Sequence, residues 1–179
     1  MQYRRIFIPG ATYFFTVVTE KRRPILATAS AIEILRNAFR TVRKNRPFEI
    51  NAIVVLPDHL HCIWTLPPGD ADFSTRWRLI KTHFTKHCDQ ALRAETNSAR
   101  IAKREQAVWQ HRYWEHLLRD EADYARHVEY IHYNPVKHGW ASSAMEWPHS
   151  SFQRYVSDGI YPPDWAQQDV IDLDSIGHE

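Results

Sequence analysis

Two histidines two residues apart, His59 and His61, interrupt an otherwise apolar run from Val54 to Trp64. Successive side chains of a β-strand alternate faces, so both imidazoles project from one side while Leu60 and Cys62 project from the other. At a rise of about 3.3 Å per residue the pair stands roughly 6–7 Å apart, close enough to converge on one divalent ion. Metal-assisted chemistry is the first function that this spacing suggests. The plain alternative is a pair of half-exposed histidines on a sheet face. A second constellation lies in residues 120–134, which fit a helix capped by Asp120, with Glu121 and Asp123 in its first turn. Tyr124, Val128 and Ile131 form the apolar stripe, and His127, Tyr130 and Asn134 an adjoining face. Tyr130 therefore borders the core stripe one turn before Asn134, and Tyr124 is the better candidate for buried packing. A residue before proline is biased away from the α region. The helix is thus expected to end or kink at Asn134, leaving its amide oxygen at a helix end.

The elements that must hold these groups follow from periodicity. Thr12 to Thr19 is β-branched and aromatic and reads as a strand. Ser30 and Glu33 suggest a capping box, and Ile32, Leu35, Phe39 and Val42 recur at helical spacing over residues 30–45. On that helix Arg36, Arg40 and Arg43 share a face beside the stripe. Phe48 to Leu56 and His59 to Leu66 form an antiparallel hairpin around Pro57-Asp58. A second helix spans about 74–92 on the stripe Phe73, Trp77, Ile80, Phe84, Cys88 and Leu92, with Arg76, Arg78 and Lys81 away from it. Residues 93–107 are polar and read as a helix extension or a mobile loop. Trp109 to Leu118 reads as a strand, and a short helix near Ser150–Tyr155 closes the domain. This order predicts an α+β fold, an antiparallel sheet of four to five strands with helices packed on it.

Composition sets limits. A chain of 179 residues supports one domain with a real core. No aliphatic run approaches the roughly 20 residues that span a bilayer, and the N-terminus has no signal-peptide core. Two lone cysteines, Cys62 and Cys88, suit a reducing cytoplasm. No GxxxxGK or GxGxxG occurs, which argues against a nucleotide-binding loop. The net charge of +2 conceals a division: residues 1–154 hold all 23 basic residues and 15 of the 21 acids, a net +8, and the remainder carries −6. The basic body suits a polyanion partner.

Several stretches together resemble the REP-associated tyrosine transposases, single-domain members of the HUH superfamily of single-strand DNA nucleases. They are Leu56-Pro57-Asp58-His59-Leu60-His61-Cys62-Ile63-Trp64 and the segment from Glu129 to Trp140 that contains Tyr130-Ile131-His132-Tyr133-Asn134-Pro135. Arg46 to Ala52, Arg112 to His116, Trp147 to Phe152 and Tyr161 to Trp165 are similar too. The likeness runs to about residue 165 and implies an HUH-type, ferredoxin-like sandwich over residues 1–156, followed by an acidic tail over 157–179. It implies that Tyr130 is the nucleophile, forming a 5′-phosphotyrosine and a free 3′-hydroxyl, and that His59, His61 and Asn134 hold the metal. It also implies Mg²⁺ or Mn²⁺, although imidazoles alone favour zinc, copper or nickel. The implied partner is single-stranded DNA carrying a repetitive extragenic palindrome as a hairpin, in the cytoplasm at the nucleoid. Monomers are the family's habit, with a dimer as the alternative. Candidate DNA contacts are Arg4, Arg5, Arg36, Arg40, Arg43, Arg76, Arg78, Lys81, Lys137 and His138. Trp114 and Trp140 are read as core side chains before base-stacking platforms. Asp58 and Glu115 are candidates to orient a histidine, with a turn-shaping role preferred for Asp58. Two rival classes remain: a non-catalytic hairpin-binding protein, and a metal-dependent nuclease without a covalent intermediate. The covalent reading asks that the phenol reach a cation held by the histidine pair, so a buried Tyr130 ring, or one well over a nanometre from that pair with no hinge between, would overturn it. The acidic tail could also lie in a basic groove and compete with DNA.

Overall fold

The computed structural model describes residues 6–93 and 108–165. Its elements run β1 (Thr12–Val18), α1 (Ala29–Asn45), β2 (Glu49–Val55), β3 (His59–Thr65), α2 (Phe73–His87), β4 (Trp114–Leu117), α3 (Glu121–Lys137) and α4 (Phe152–Ser157). The four strands form one sheet in the order β2-β3-β1-β4, antiparallel throughout. The β2–β3 hairpin turns on Pro57-Asp58, and its register slips by one residue between Ile50 and Ala52. That slip keeps Ile50, Ile53 and Val55 on one face while Ala52 and Val54 take the other.

Helices cover both faces, giving three layers. Tyr13, Phe15, Val17, Leu60, Cys62 and Trp64 pack under α1 and α2, where the Trp64 and Trp77 rings stack at 4.3 Å. Phe14, Ala52, Val54 and Ile63 pack under α3 with Val128, Tyr130 and Ile131. Because β3 is central and covered on both sides, every side chain from His59 to Trp64 is buried. The histidine pair belongs to the α3 face.

Local chemistry moves several expected boundaries. Thr28, not Ser30, caps α1 by accepting the Ala31 N–H. Asp72 caps α2 and Asp120 caps α3 in the same way. α2 stops at His87, because Cys88 is extended, and Gln90–Leu92 form a separate turn capped by Asp89. The strand expected from Trp109 shrinks to Trp114–Leu117, Trp109 making only an isolated bridge to Thr19. α3 does not end at Asn134: it continues through Pro135 to Lys137. Proline in a last turn forfeits a single backbone bond, and Gly139 at φ +69° closes the helix beyond it. The polar segment 93–107, expected as a helix extension or a loop, falls almost wholly outside the described residues, as does the acidic sequence after Trp165. Among the described residues no helix is long and apolar enough to cross a membrane.

Candidate active site

β3 delivers both imidazoles to one spot, their ring centroids 4.8 Å apart. Each ring is fixed through Nδ1. His59 Nδ1 lies 2.6 Å from Asp58 Oδ1, and His61 Nδ1 lies 2.9 Å from Oγ1 of Thr16, its cross-strand partner. With both Nδ1 atoms engaged, Nε2 is the nitrogen each ring can offer as a ligand, the arrangement by which outer partners set a metal-binding tautomer. His59 Nε2 is buried with no hydrogen-bond partner, which fits a ligating atom better than a packed one. Asp58 is held in turn by Arg22 Nη1 at 2.9 Å. Burial alone would raise the Asp58 carboxyl, but the His59 hydrogen bond and charge and the Arg22 contact outweigh it and bring it to about 2. Arg22 reaches this place from a short turn in which it and Lys21 adopt φ of +51° and +55°, an uncommon conformation for residues with a Cβ.

α3 brings the second constellation across the same face. The Tyr130 ring centroid lies 5.1 Å from that of His61, and Asn134, one turn further, is wholly buried. The Tyr130 ring is also wholly buried, so in this conformation the exposure that the covalent reading asks for is not met, while its nearness to His61 is. Tyr124 is only half-buried. The helical wheel underestimates the covered arc: a broad sheet beneath α3 buries His127, Tyr130 and Asn134 as well as Val128 and Ile131. Two exposed side chains of the helix end overlie the site. Lys137 Nζ stands 5.1 Å from the Tyr130 ring centre, and the His138 ring lies 5.4 Å from that of His59. The Tyr130 and His61 rings are thus adjacent, with the Lys137 and His138 side chains beside them.

The other expected contacts separate. Arg36, Arg40, Arg43 and Arg78 are exposed on α1 and α2, the opposite helical layer. Arg76 is not available to DNA: it is 1% exposed, and its guanidinium binds Asp70 and the carbonyls of Arg46, Pro47 and Asp72. Lys81 donates to the Gln110 carbonyl at 2.7 Å and ties α2 to that segment. Arg4 and Arg5 lie outside the described residues. Glu115 pairs with Phe15 and therefore faces α1 and α2, away from the histidines. Asp58 does more than shape the turn. Trp140 is 52% exposed rather than core. Thr16 and Arg22 were not foreseeable, since strand register and a left-handed turn leave no mark on spacing.

A neighbouring group, His116, Asp123 and His127, places its ligand-type atoms within 4.8 Å of one another. Asp123 binds His116 Nε2 at 2.9 Å and faces His127 Nδ1 at 3.2 Å. Burial lowers the His127 imidazole. These three satisfy one another by hydrogen bonding, whereas the His59 site keeps an unsatisfied nitrogen, and a divalent ion fits the latter better.

Residues 8–134 match the family of IS200-like transposases. Over 172 residues the chain is 49% identical to a REP-associated tyrosine transposase of Escherichia coli strain K12, covering 96% of this chain and 94% of the relative. It is 44% identical over 164 residues to a putative REP-associated tyrosine transposase of Haemophilus influenzae, covering 92% of each. A solved REP-associated tyrosine transposase bound to a REP hairpin superposes with a TM-score of 0.76 at 46% identity, covering 96% of this chain and 95% of that one. With nearly its whole length matched at this identity and its fold shared, the chain belongs to the IS200-like transposases and, among them, to the REP-associated tyrosine transposases.

Proposed function

We propose that this protein binds repetitive extragenic palindromic DNA hairpins and cleaves and rejoins the adjoining single strand through a covalent adduct on Tyr130. The observation that carries the reading is the approach of the Tyr130 ring to within 5.1 Å of His61, in a chain 49% identical to a REP-associated tyrosine transposase. Tyr130 Oη attacks the phosphorus of the scissile phosphodiester. The Oη–P bond forms as the P–O3′ bond breaks, the phenol proton leaves, and the departing oxygen becomes a 3′-hydroxyl. Phenolate is a better leaving group than an alkoxide, its reference pKa lying near 10. Attack by a 3′-hydroxyl on the adduct therefore rejoins strands without an external energy source.

His59 and His61, with Asn134 as the third polar group, would hold a divalent cation, Mg²⁺ or Mn²⁺ on family grounds. When bound, the ion polarises the phosphate and offsets charge on its non-bridging oxygens. Asp58 and Thr16 hold the two imidazoles in the ligating orientation. Lys137 and His138 turn aside as the strand enters, and their positive or donor groups face its phosphates. Since β3 and α3 of one chain supply His59, His61, Tyr130 and Asn134, a monomer suffices.

Incubation with a labelled palindrome oligonucleotide and Mn²⁺ separates this reading from its rivals. A denaturation-resistant protein–DNA adduct, lost in Tyr130→Phe with hairpin binding retained, is the expected result. A gel shift without cleavage would leave only a binding protein, and cleavage without an adduct would make Tyr130 a positioning group.

A further inference from the structure

His116 stands on β4 and shares the α3 face of the sheet with Phe14, its cross-strand partner. There it meets Asp123 and His127, which lie one turn apart on α3. Asp123 Oδ2 accepts from His116 Nε2 at 2.9 Å and from the Arg119 backbone N–H at 3.1 Å. Asp123 Oδ1 faces His127 Nδ1 at 3.2 Å. None of the three takes part in the proposed reaction. Burial alone would raise the Asp123 carboxyl, but the His116 and Arg119 hydrogen bonds outweigh it and hold it low. Burial lowers the His127 imidazole. At neutral pH an ionised carboxylate therefore sits beside a neutral imidazole, the protonation state that a metal ion requires of its ligands.

The hydrogen bonds within this group make it a poorer home than the His59 pair for the oxygen-preferring cation of the reaction. They also hold two imidazoles and a carboxylate together before any ion arrives. That donor set suits Zn²⁺, which takes imidazole nitrogen and carboxylate oxygen at about 2.0–2.2 Å in a tetrahedron, so that its donors stand about 3.4 Å apart. The two carboxylate–imidazole contacts are already near that spacing. With all the ligand atoms within 4.8 Å of one another, the widest gap closes by about 1.4 Å or less, within reach of side-chain rotation. His116 is partly exposed, which leaves a side for the ion to enter and for water to take the fourth position. We propose that His116, Asp123 and His127 form a second metal site, of the zinc class, that clamps β4 to the first half of α3. Among the described residues β4 is a four-residue edge strand paired only with β1, so a cross-link to α3 secures its weakest side. The same link braces the helix that carries Tyr130 one turn beyond His127. The Phe14 ring separates the two sites, 4.8 Å from the His127 ring and 5.4 Å from that of His61.

Equilibrium dialysis of the full chain against Zn²⁺ in excess Mg²⁺, with elemental analysis and thermal unfolding of the product, tests the site. His116→Gln changes a partly exposed side chain, Asp123→Asn keeps the shape of the buried one, and circular dichroism checks both folds. Each variant is expected to hold one zinc fewer per chain than wild-type protein. Its affinity at this site should fall by more than about 100-fold, since losing even an outer partner of a ligand costs 10–100-fold. Zinc is expected to raise the Tm of wild-type protein more than that of His116→Gln, because an ion that binds only the native state stabilises it. His59→Gln, which removes a catalytic imidazole, is expected to keep the ion at the His116 site. Zinc kept by His116→Gln and lost by His59→Gln would place it at the catalytic pair. No zinc on wild-type protein, or equal amounts on all four proteins, would leave the three groups a hydrogen-bonded strut. Any of these results overturns the proposal, and none of them bears on the adduct at Tyr130.

Discussion

At the scale of single residues, the site is defined by which nitrogen each histidine turns towards a ligand. Asp58 fixes His59, and Arg22 fixes Asp58. Removing such an outer partner typically weakens metal binding 10–100-fold. Asp58→Asn is accordingly expected to lower Mn²⁺ affinity by about 10–100-fold, read by electron paramagnetic resonance of free Mn²⁺. An unchanged affinity would return Asp58 to a turn residue. His132 behaves differently. It lies on α3 but faces Phe152, Tyr155 and Tyr161, away from the histidine pair, with Nε2 2.9 Å from Ser151 Oγ. Burial, with the Arg154 charge, depresses it from 6.5 to about 3. The folded state holds it neutral while the unfolded chain protonates it below pH 6.5, so stability declines as pH falls from 6.5 towards 3. At pH 5 the loss is about 2 kcal/mol. Urea denaturation across this range should be flatter in His132→Gln, and an equal slope in both proteins would contradict the assignment.

At the scale of elements, the pairing of β3 with α3 was legible to different depths. Alternation along β3 placed both histidines on one side, and the helical period placed Tyr130 beside Asn134. The burial of Tyr130 was not legible, because the width of the sheet beneath α3 is a tertiary property. The passage of α3 through Pro135 was hidden for a related reason: a proline near a helix end costs little, so its position marks the boundary only loosely. Arg76 shows the converse limit. Off the apolar stripe of α2 it resembles a surface cation, yet the α1–β2 turn folds over it and supplies the Arg46 and Pro47 carbonyls. Arg76→Ala strands those carbonyls and Asp70 and is expected to destabilise the fold by about 3 kcal/mol or more in urea unfolding. Hairpin affinity of the folded fraction should be unchanged. Normal stability with weakened DNA binding would restore Arg76 as a contact.

At the scale of the molecule, the sheet divides the labour. One helical layer covers the chemistry, and the other carries the basic rim of α1. Composition announced the cationic body, and the shared motifs announced the fold, but neither could tell which arginines face the catalytic side. Arg36, Arg40 and Arg43 do not. Four of the six acids beyond Arg154 follow Trp165. Tyr161 and Trp165 stack on each other and on Phe152, so a truncation that spares the fold begins after Trp165. Removing residues 166–179 raises the net charge by 4 and should tighten hairpin binding at low salt, with the difference shrinking as salt is added. Identical affinities at low salt would exclude competition by the acidic segment. In the proposed reaction one phenol, that of Tyr130, carries the strand. Tandem mass spectrometry of the nuclease- and protease-digested adduct tests it most directly: a nucleotide phosphate on Tyr130 is the expected product, and a nucleotide on Tyr124 or Tyr133, or cleaved DNA with no modified tyrosine, would contradict it.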